Sequence, residues 1–305
     1  EDVSDGAFVS ALSELSKKHG IYIASGITEW DSERQKVFNT GVMFDRQGHL
    51  ACHYHKQFLA THDQNWFSFG ERGNPVVETD LGKIGLLICF DGRIPEIFRS
   101  MALQGAEVIV DMANFFSMDQ ADMWGPARSY ENGLWLVAAT KAGFERSIYY
   151  PGGSMIVDPK GRVLSKVPYD THGIAIADID PDMALNKSIY TGNDKIADRR
   201  SETYGIMSEP YFNTPVAKIA DVPIVPSQST SKIAAVQMHV TNESTVDDVF
   251  DMIDHAAKLG IKVITLPEHA FSTHWLPNAD EAAQLSDAAP DYILRAAVIA
   301  KKYSC

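Results

Sequence analysis

Three polar side chains stand where an apolar run hands over to a turn or loop. Cys89 follows "GLLI", Lys56 follows "ACHYH" and Glu268 follows "VITLP". Rigid β-elements display reactive groups at such ends, while the following loop opens a cleft. A thiol, a carboxylate and an ammonium brought together form a working set for acyl transfer. The carboxylate takes the thiol proton, and the ammonium favours the thiolate and offers positive charge to an oxyanion. Taken one at a time, each has a plainer reading. Free cysteine is among the most buried residue types, Glu268 suits a surface or capping carboxylate, and Lys56 suits a solvated strand end. The three lie far apart in the chain, so spacing alone leaves both readings open.

Composition narrows the partners. Against 40 acidic residues stand 27 Lys plus Arg, a formal charge of −13, which argues against nucleic acid or an anionic membrane as the main partner. No apolar run approaches the ~20 residues that span a bilayer. The start, "EDVSDGAFVS", lacks a basic-then-apolar signal pattern. Cysteines at 52, 89 and 305 only do not make a disulfide framework, so a reducing, cytoplasmic setting is expected.

The elements that must position these groups are read from periodicity. A helix is expected over 7–19, with Gly20 as its cap. Strands are expected at 21–25, 41–45, 50–55, 75–79 and 83–90, the last apolar on both faces and so central. A helix at 95–104, a strand at 107–112, a helix near 120–132 and a strand at 135–140 follow. A hairpin is expected over 152–164 and a strand over 173–179. Beyond about residue 207 the chain turns rich in Pro, Ser and Thr and reads as a linker. Order resumes with strand 232–238, a helix capped near Thr245, strand 262–268 and a helix over roughly 281–303. The last of these, "DYILRAAVIAKKYSC", echoes "GAFVSALSELSKKHGI" near the start. Aligning the two Lys-Lys pairs sets Ile299 on Leu15 and Tyr292 on Phe8.

"LLICFDGRIPE" (86–96) resembles the cysteine motif of the nitrilase, or carbon–nitrogen hydrolase, superfamily. "HYHKQFL" is similar to that family's lysine segment and "KVITLPEHAF" to its glutamate segment. "GNPVVETDLGKIG", "ARSYENGLWLVAATKAG", "GGSMIVDPKGRVL" and "RRSETYGI" agree in cyclic order. The resemblance implies an α/β fold, a four-layer α-β-β-α sandwich, and a Glu-Lys-Cys triad carried here onto Glu268, Lys56 and Cys89. Cys89 would be the nucleophile and Glu268 the general base. Lys56 and the Phe90 N–H would hold the oxyanion. Asp63 matches a second acidic position in the family, one methylene shorter than the usual glutamate. Asn114 and Phe115 would line the pocket, and Glu96, Arg128 and Glu131 would form a charged scaffold. The implied activity is hydrolysis of a small carboxamide or N-carbamoyl compound through a thioester, without a cofactor. Phe90-Asp91 after the cysteine departs from the Trp-Glu of true nitrilases and counts against nitriles. A homodimer or larger homo-oligomer is expected by resemblance. The alternative is a non-catalytic module of the same fold used in assembly or regulation.

The family order is glutamate, lysine, cysteine, whereas here the glutamate comes last. Residues 1–215 then carry Lys56 and Cys89, 216–231 form the linker, and 232–305 carry Glu268. That last part either completes the site, as in a permuted chain, or begins a second, tandem domain. The repeated helix favours the tandem reading. His53 and His55 alternate along a strand and share one side, but with no third ligand in view a hydrogen-bonded surface pair is expected and no metal. "GGS" at 152–154 lacks the strand–helix context of a phosphate loop and is read as close backbone packing.

Overall fold

The computed structural model describes residues 1–220, 230–239, 245–271 and 278–304, which fall into two units, Glu1–Gly205 and Ile206–Cys305. In the first, helix α1 (Ala7–His19) ends on Gly20 at φ +62°, as its sequence predicts. Strands β1 (Ile23–Asp31), β2 (Lys36–Phe44) and β3 (Leu50–His55) form an antiparallel three-stranded sheet. Val9 of α1 packs on Ile27, Val42 and Phe44 of one face. Each such burial is worth about 1.5–3 kcal/mol.

The other sheet has six strands. β4 (Val76–Thr79), β5 (Gly82–Leu87), β6 (Val108–Ala113) and β7 (Trp135–Thr140) lead on to β10 (Met155–Val157) and β11 (Val163–Lys166), after the small hairpin β8 (Ala142–Glu145) and β9 (Ile148–Pro151). β5, β6 and β7 are parallel, and Leu86, Leu87 and Ile109 are wholly enclosed. That enclosure is why "KIGLLICF" is apolar on both faces. α2 (Pro95–Leu103) buries Ile97, Phe98 and Met101 in the same core. α3 (Gly125–Asn132) brings its first residue against Met155 of β10. The layers are α-β-β-α. The inner face of the three-stranded sheet meets the six-stranded one, where Met112 of β6 lies against Gly41 of β2. A short hairpin, β12 (Ser188–Tyr190) and β13 (Asn193–Asp194), follows.

One expectation is corrected, one is extended and one is met. Residues 173–179 form no strand. Ala175, Ala177 and Ile179 pack on the core while Ile174 and Ile176 face solvent, so the alternation is present without a ladder partner. β1 continues to Asp31 and pairs residue for residue with β2, a hairpin only partly visible in the sequence. At "GGS", a Cβ on Gly153 (φ +94°) would come within 2.8 Å of Tyr169, so the glycine does serve close packing.

In the second unit, α4 (Pro215–Ala220) lies within the Pro/Ser/Thr-rich stretch, whose residues 221–229 are outside the described residues. β14 (Ile233–Ala235) and β15 (Val263–Thr265) pair in parallel, joined through α5 (Val246–Lys258), which starts on a Thr245/Asp248 capping box. α6 (Ala279–Tyr303) lays Tyr292 and Ile299 on the Val249, Phe250 and Ile253 face of α5. Phe8 and Leu15 of α1, which the sequence aligns with them, are half-exposed, whereas Tyr292 and Ile299 are partly buried.

Candidate active site

β5 delivers Ile88 and Cys89 to a one-turn helix, Cys89–Arg93. Cys89 sits at φ +52°, a left-handed conformation that costs a non-glycine residue about 1–2 kcal/mol and persists only where its surroundings hold it. The restraints are explicit. The Cys89 N–H donates to Asp111 Oδ1 at 2.7 Å, and Gln120 Nε2 donates to the Cys89 carbonyl at 2.9 Å. Asp91 clamps the turn, accepting from Tyr54 Oη at 2.7 Å, Phe58 N–H at 2.8 Å and Ile88 N–H at 3.2 Å. The thiol approaches the Asn114 carbonyl at 3.4 Å.

Lys56 follows directly on β3. Its N–H donates to the Asn39 carbonyl at 2.8 Å. Gly70 crosses over it so closely that a Cβ there would lie 2.2 Å from the His55 carbonyl oxygen. The ammonium is buried and ion-paired with Asp63, whose carboxylate also accepts from Ala60 N–H at 3.3 Å.

Cys89, Lys56, Asp63 and Asn114 share one cavity of about 570 Å³, walled also by Thr28, Asn39, Met112, Phe116 and Thr140. Phe115 is a correction. Its ring is buried in the core and its N–H donates to Thr140 Oγ1 at 2.8 Å, so Phe116 takes the wall. Phe90 stacks its ring on Phe58 at 5.4 Å. Arg128 pairs with Glu131 at 2.9 Å, whereas Glu96 is exposed. Glu268 belongs to the second unit, just after β15, exposed, with its carboxylate 3.5 Å from His269 Nε2.

Electrostatically the site is poised against ionisation. Burial pushes the Cys89 thiol up to about 11, the Lys56 charge pulling it down and Asp111 pushing it up. Asp111 is itself raised to about 8 by burial, and Asp91 to about 6. Neither Asp111, Asp91 nor Gln120 was foreseen as part of the site. The one available signal was an acidic residue inside the apolar run "EVIVDM".

Asp111 carries a stability prediction. Its folded pKa lies above its ordinary value, so between about pH 4 and 8 the folded chain holds a proton that the unfolded chain has lost. Stability therefore falls as pH rises through that window. Asp111→Asn keeps the Oδ1 acceptor and removes the charge. Its urea midpoint should exceed the parent's at pH 8.5 and change less between pH 5 and 8.5. Parallel curves for the two proteins contradict the assignment.

The chain is similar in sequence and fold to known proteins. The family described as carbon–nitrogen hydrolase matches residues 2–186. A nitrilase of Pyrococcus abyssi is 33% identical over 204 residues, covering 67% of this chain and 76% of its own. A deaminated glutathione amidase of Dictyostelium discoideum is 32% identical, covering 58% and 66%. Among solved structures, a carbon–nitrogen hydrolase from Helicobacter pylori superposes with a TM-score of 0.61 at 25% identity, covering 67% of this chain and 76% of that one. An amidase from Nesterenkonia sp. AN1, solved with acrylamide added to its active-site cysteine, gives 0.56 at 25% identity, covering 65% and 73%.

Proposed function

Because the chain belongs to the carbon–nitrogen hydrolase family, we propose that it hydrolyses a small carboxamide or N-carbamoyl compound through a thioester on Cys89. The observation that carries this reading is the strained Cys89 beside the buried Lys56 in one cavity. Amidases among the relatives support the substrate class.

In the proposed cycle a carboxylate base, for which the family resemblance offers Glu268 of this chain or of a neighbouring copy, accepts the thiol proton as Sγ attacks the carbonyl carbon. Lys56 Nζ and the Phe90 N–H donate to the oxyanion. The base returns the proton to the departing nitrogen, and ammonia or an amine leaves. Water then attacks the thioester while the base takes its proton, and the acid is released as the thiol re-forms. A thiol held near 11 needs such a base, since little thiolate exists at neutral pH. Asp63 holds the Lys56 ammonium, and Asn114 and Phe116 bound the acyl portion.

An ammonia-release screen over carboxamides, N-carbamoyl compounds and nitriles, with Cys89→Ala as blank, tests the reading. Release from either of the first two classes supports it, and silence from all three defeats it. The raised thiol favours the second reading, a non-catalytic module, and silence would establish that instead. Glu268→Gln should be inactive alone. Mixing it with Cys89→Ala restores turnover if the glutamate serves a neighbouring copy. Full activity of Glu268→Gln removes it from the mechanism.

A further inference from the structure

The histidine pair of β3 gains a partner that the sequence does not reveal. Register places Phe38 opposite Glu29, Thr40 opposite His55 and Val42 opposite His53, so Glu29, His53 and His55 share one face of the three-stranded sheet. The alternate residues Tyr54 and Lys56 take the other face, toward Asp91 and the cavity. Glu29 Oε2 lies 2.8 Å from His53 Nε2 and 2.9 Å from His55 Nε2. Glu29 is 4% exposed and His55 1%, and the His55 ring stacks on Phe38 with centroids 4.0 Å apart. Thr40 Oγ1 donates to the same carboxylate oxygen at 2.6 Å.

With Arg72 in place, hydrogen bonding alone does not satisfy this cluster. Arg72 Nε, a permanent donor, points at His55 Nε2 from 3.1 Å. If Nε2 carries a proton, it donates to Glu29 and two donors confront each other. If Nε2 is bare, it accepts from Arg72 and its lone pair faces a carboxylate oxygen. His55 Nδ1 is buried without a partner in either tautomer and does not discriminate. A cation between the two imidazoles and the carboxylate turns the facing lone pairs into ligands. Arg72 is exposed and free to turn toward solvent.

We propose that Glu29, His53 and His55 bind a divalent d-block ion such as Zn²⁺, which clamps β1 to β3 across β2. The three ligand atoms lie within 4.8 Å of one another. Tetrahedral bonds of about 2.0–2.1 Å hold ligands roughly 3.3 Å apart, so each carboxylate–imidazole distance widens by about half an ångström to admit the ion. Two imidazoles and one carboxylate suit zinc, cobalt and nickel over calcium or magnesium. Thr40 orients the carboxylate as an outer partner. His53, the least buried of the three at 16% side-chain exposure, marks the side where water completes the coordination. Lying across the sheet from Cys89, the ion is structural.

The test titrates the full chain, freed of metal by chelation, with Co²⁺ and Zn²⁺. The parent should take up one Co²⁺ with visible d–d bands and no thiolate charge-transfer band in the near ultraviolet, which separates this site from cobalt at Cys52 or Cys89. Zn²⁺ should displace the cobalt and raise the melting temperature. His53→Gln and Glu29→Gln should each weaken uptake at least about tenfold. Melting of the chelated proteins separates loss of metal from loss of fold, and if Glu29→Gln does not fold, the more exposed His53→Gln carries the comparison. No saturable uptake by the parent, a thiolate band, or uptake unchanged in His53→Gln overturns the proposal.

Discussion

Cys89→Ala is expected to lower ammonia release at least about 10⁴-fold, the scale seen when a nucleophile is removed from an acyl-transfer site. The reason is chemical rather than structural. The alanine retains the N–H bonded to Asp111 and the carbonyl bonded to Gln120, and the positive φ strains alanine about as much as cysteine. Circular-dichroism melting should therefore find a folded protein close to the parent. Cys89→Ser should be nearly as inactive, because a hydroxyl is far harder to ionise in a site that already raises a thiol to about 11. Retention of more than a few per cent of turnover by Cys89→Ala would exclude a covalent intermediate on this sulfur.

Lys56→Ala has the next largest expected effect. Removing one preorganised oxyanion donor typically costs about 3 kcal/mol, so turnover should fall at least about a hundredfold. A second consequence separates electrostatics from simple damage. The Lys56 charge lowers the Cys89 pKa, whereas Asp63 raises it. Losing the lysine unpairs Asp63 from its cation, and both changes push the thiol up. The pH profile of iodoacetamide alkylation at Cys89 should move to higher pH in Lys56→Ala, and in the bulkier Lys56→Met as well. Cys52 is the internal control. It too is raised to about 11, yet Cys89 lines the cavity and Cys52 does not. The parent should label at Cys89 first, and equal sluggishness at both cysteines would favour an inert scaffold. An unmoved Cys89 profile in Lys56→Met would show that the ammonium does not act on the thiol.

How much of this was legible beforehand depends on the range of the signal. An apolar run closing on a polar turn is local, and it pointed to Cys89, Lys56 and Glu268, of which the first two line one cavity with Asp63 and Asn114. Helix caps are local too, and Gly20 and Thr245 stand where expected. Ladder partners are not local. Residues 173–179 alternate like a strand but join no ladder. Phe115 and Phe116 cannot be told apart without knowing which of two adjacent rings the sheet turns inward.

Residue order and type by themselves carried the resemblance to the family, and through it the expectation of a layered α/β architecture and of a strand-end thiol meeting a strand-end lysine, because such motifs are short and local. The tertiary structure alone decided that Asp111 grips the Cys89 backbone from 22 positions away and that Glu29 meets His53 and His55 across β2. Those contacts follow from sheet register and chain crossing. They are set by how distant strands pair when they bury their common faces, and no spacing along the chain encodes them.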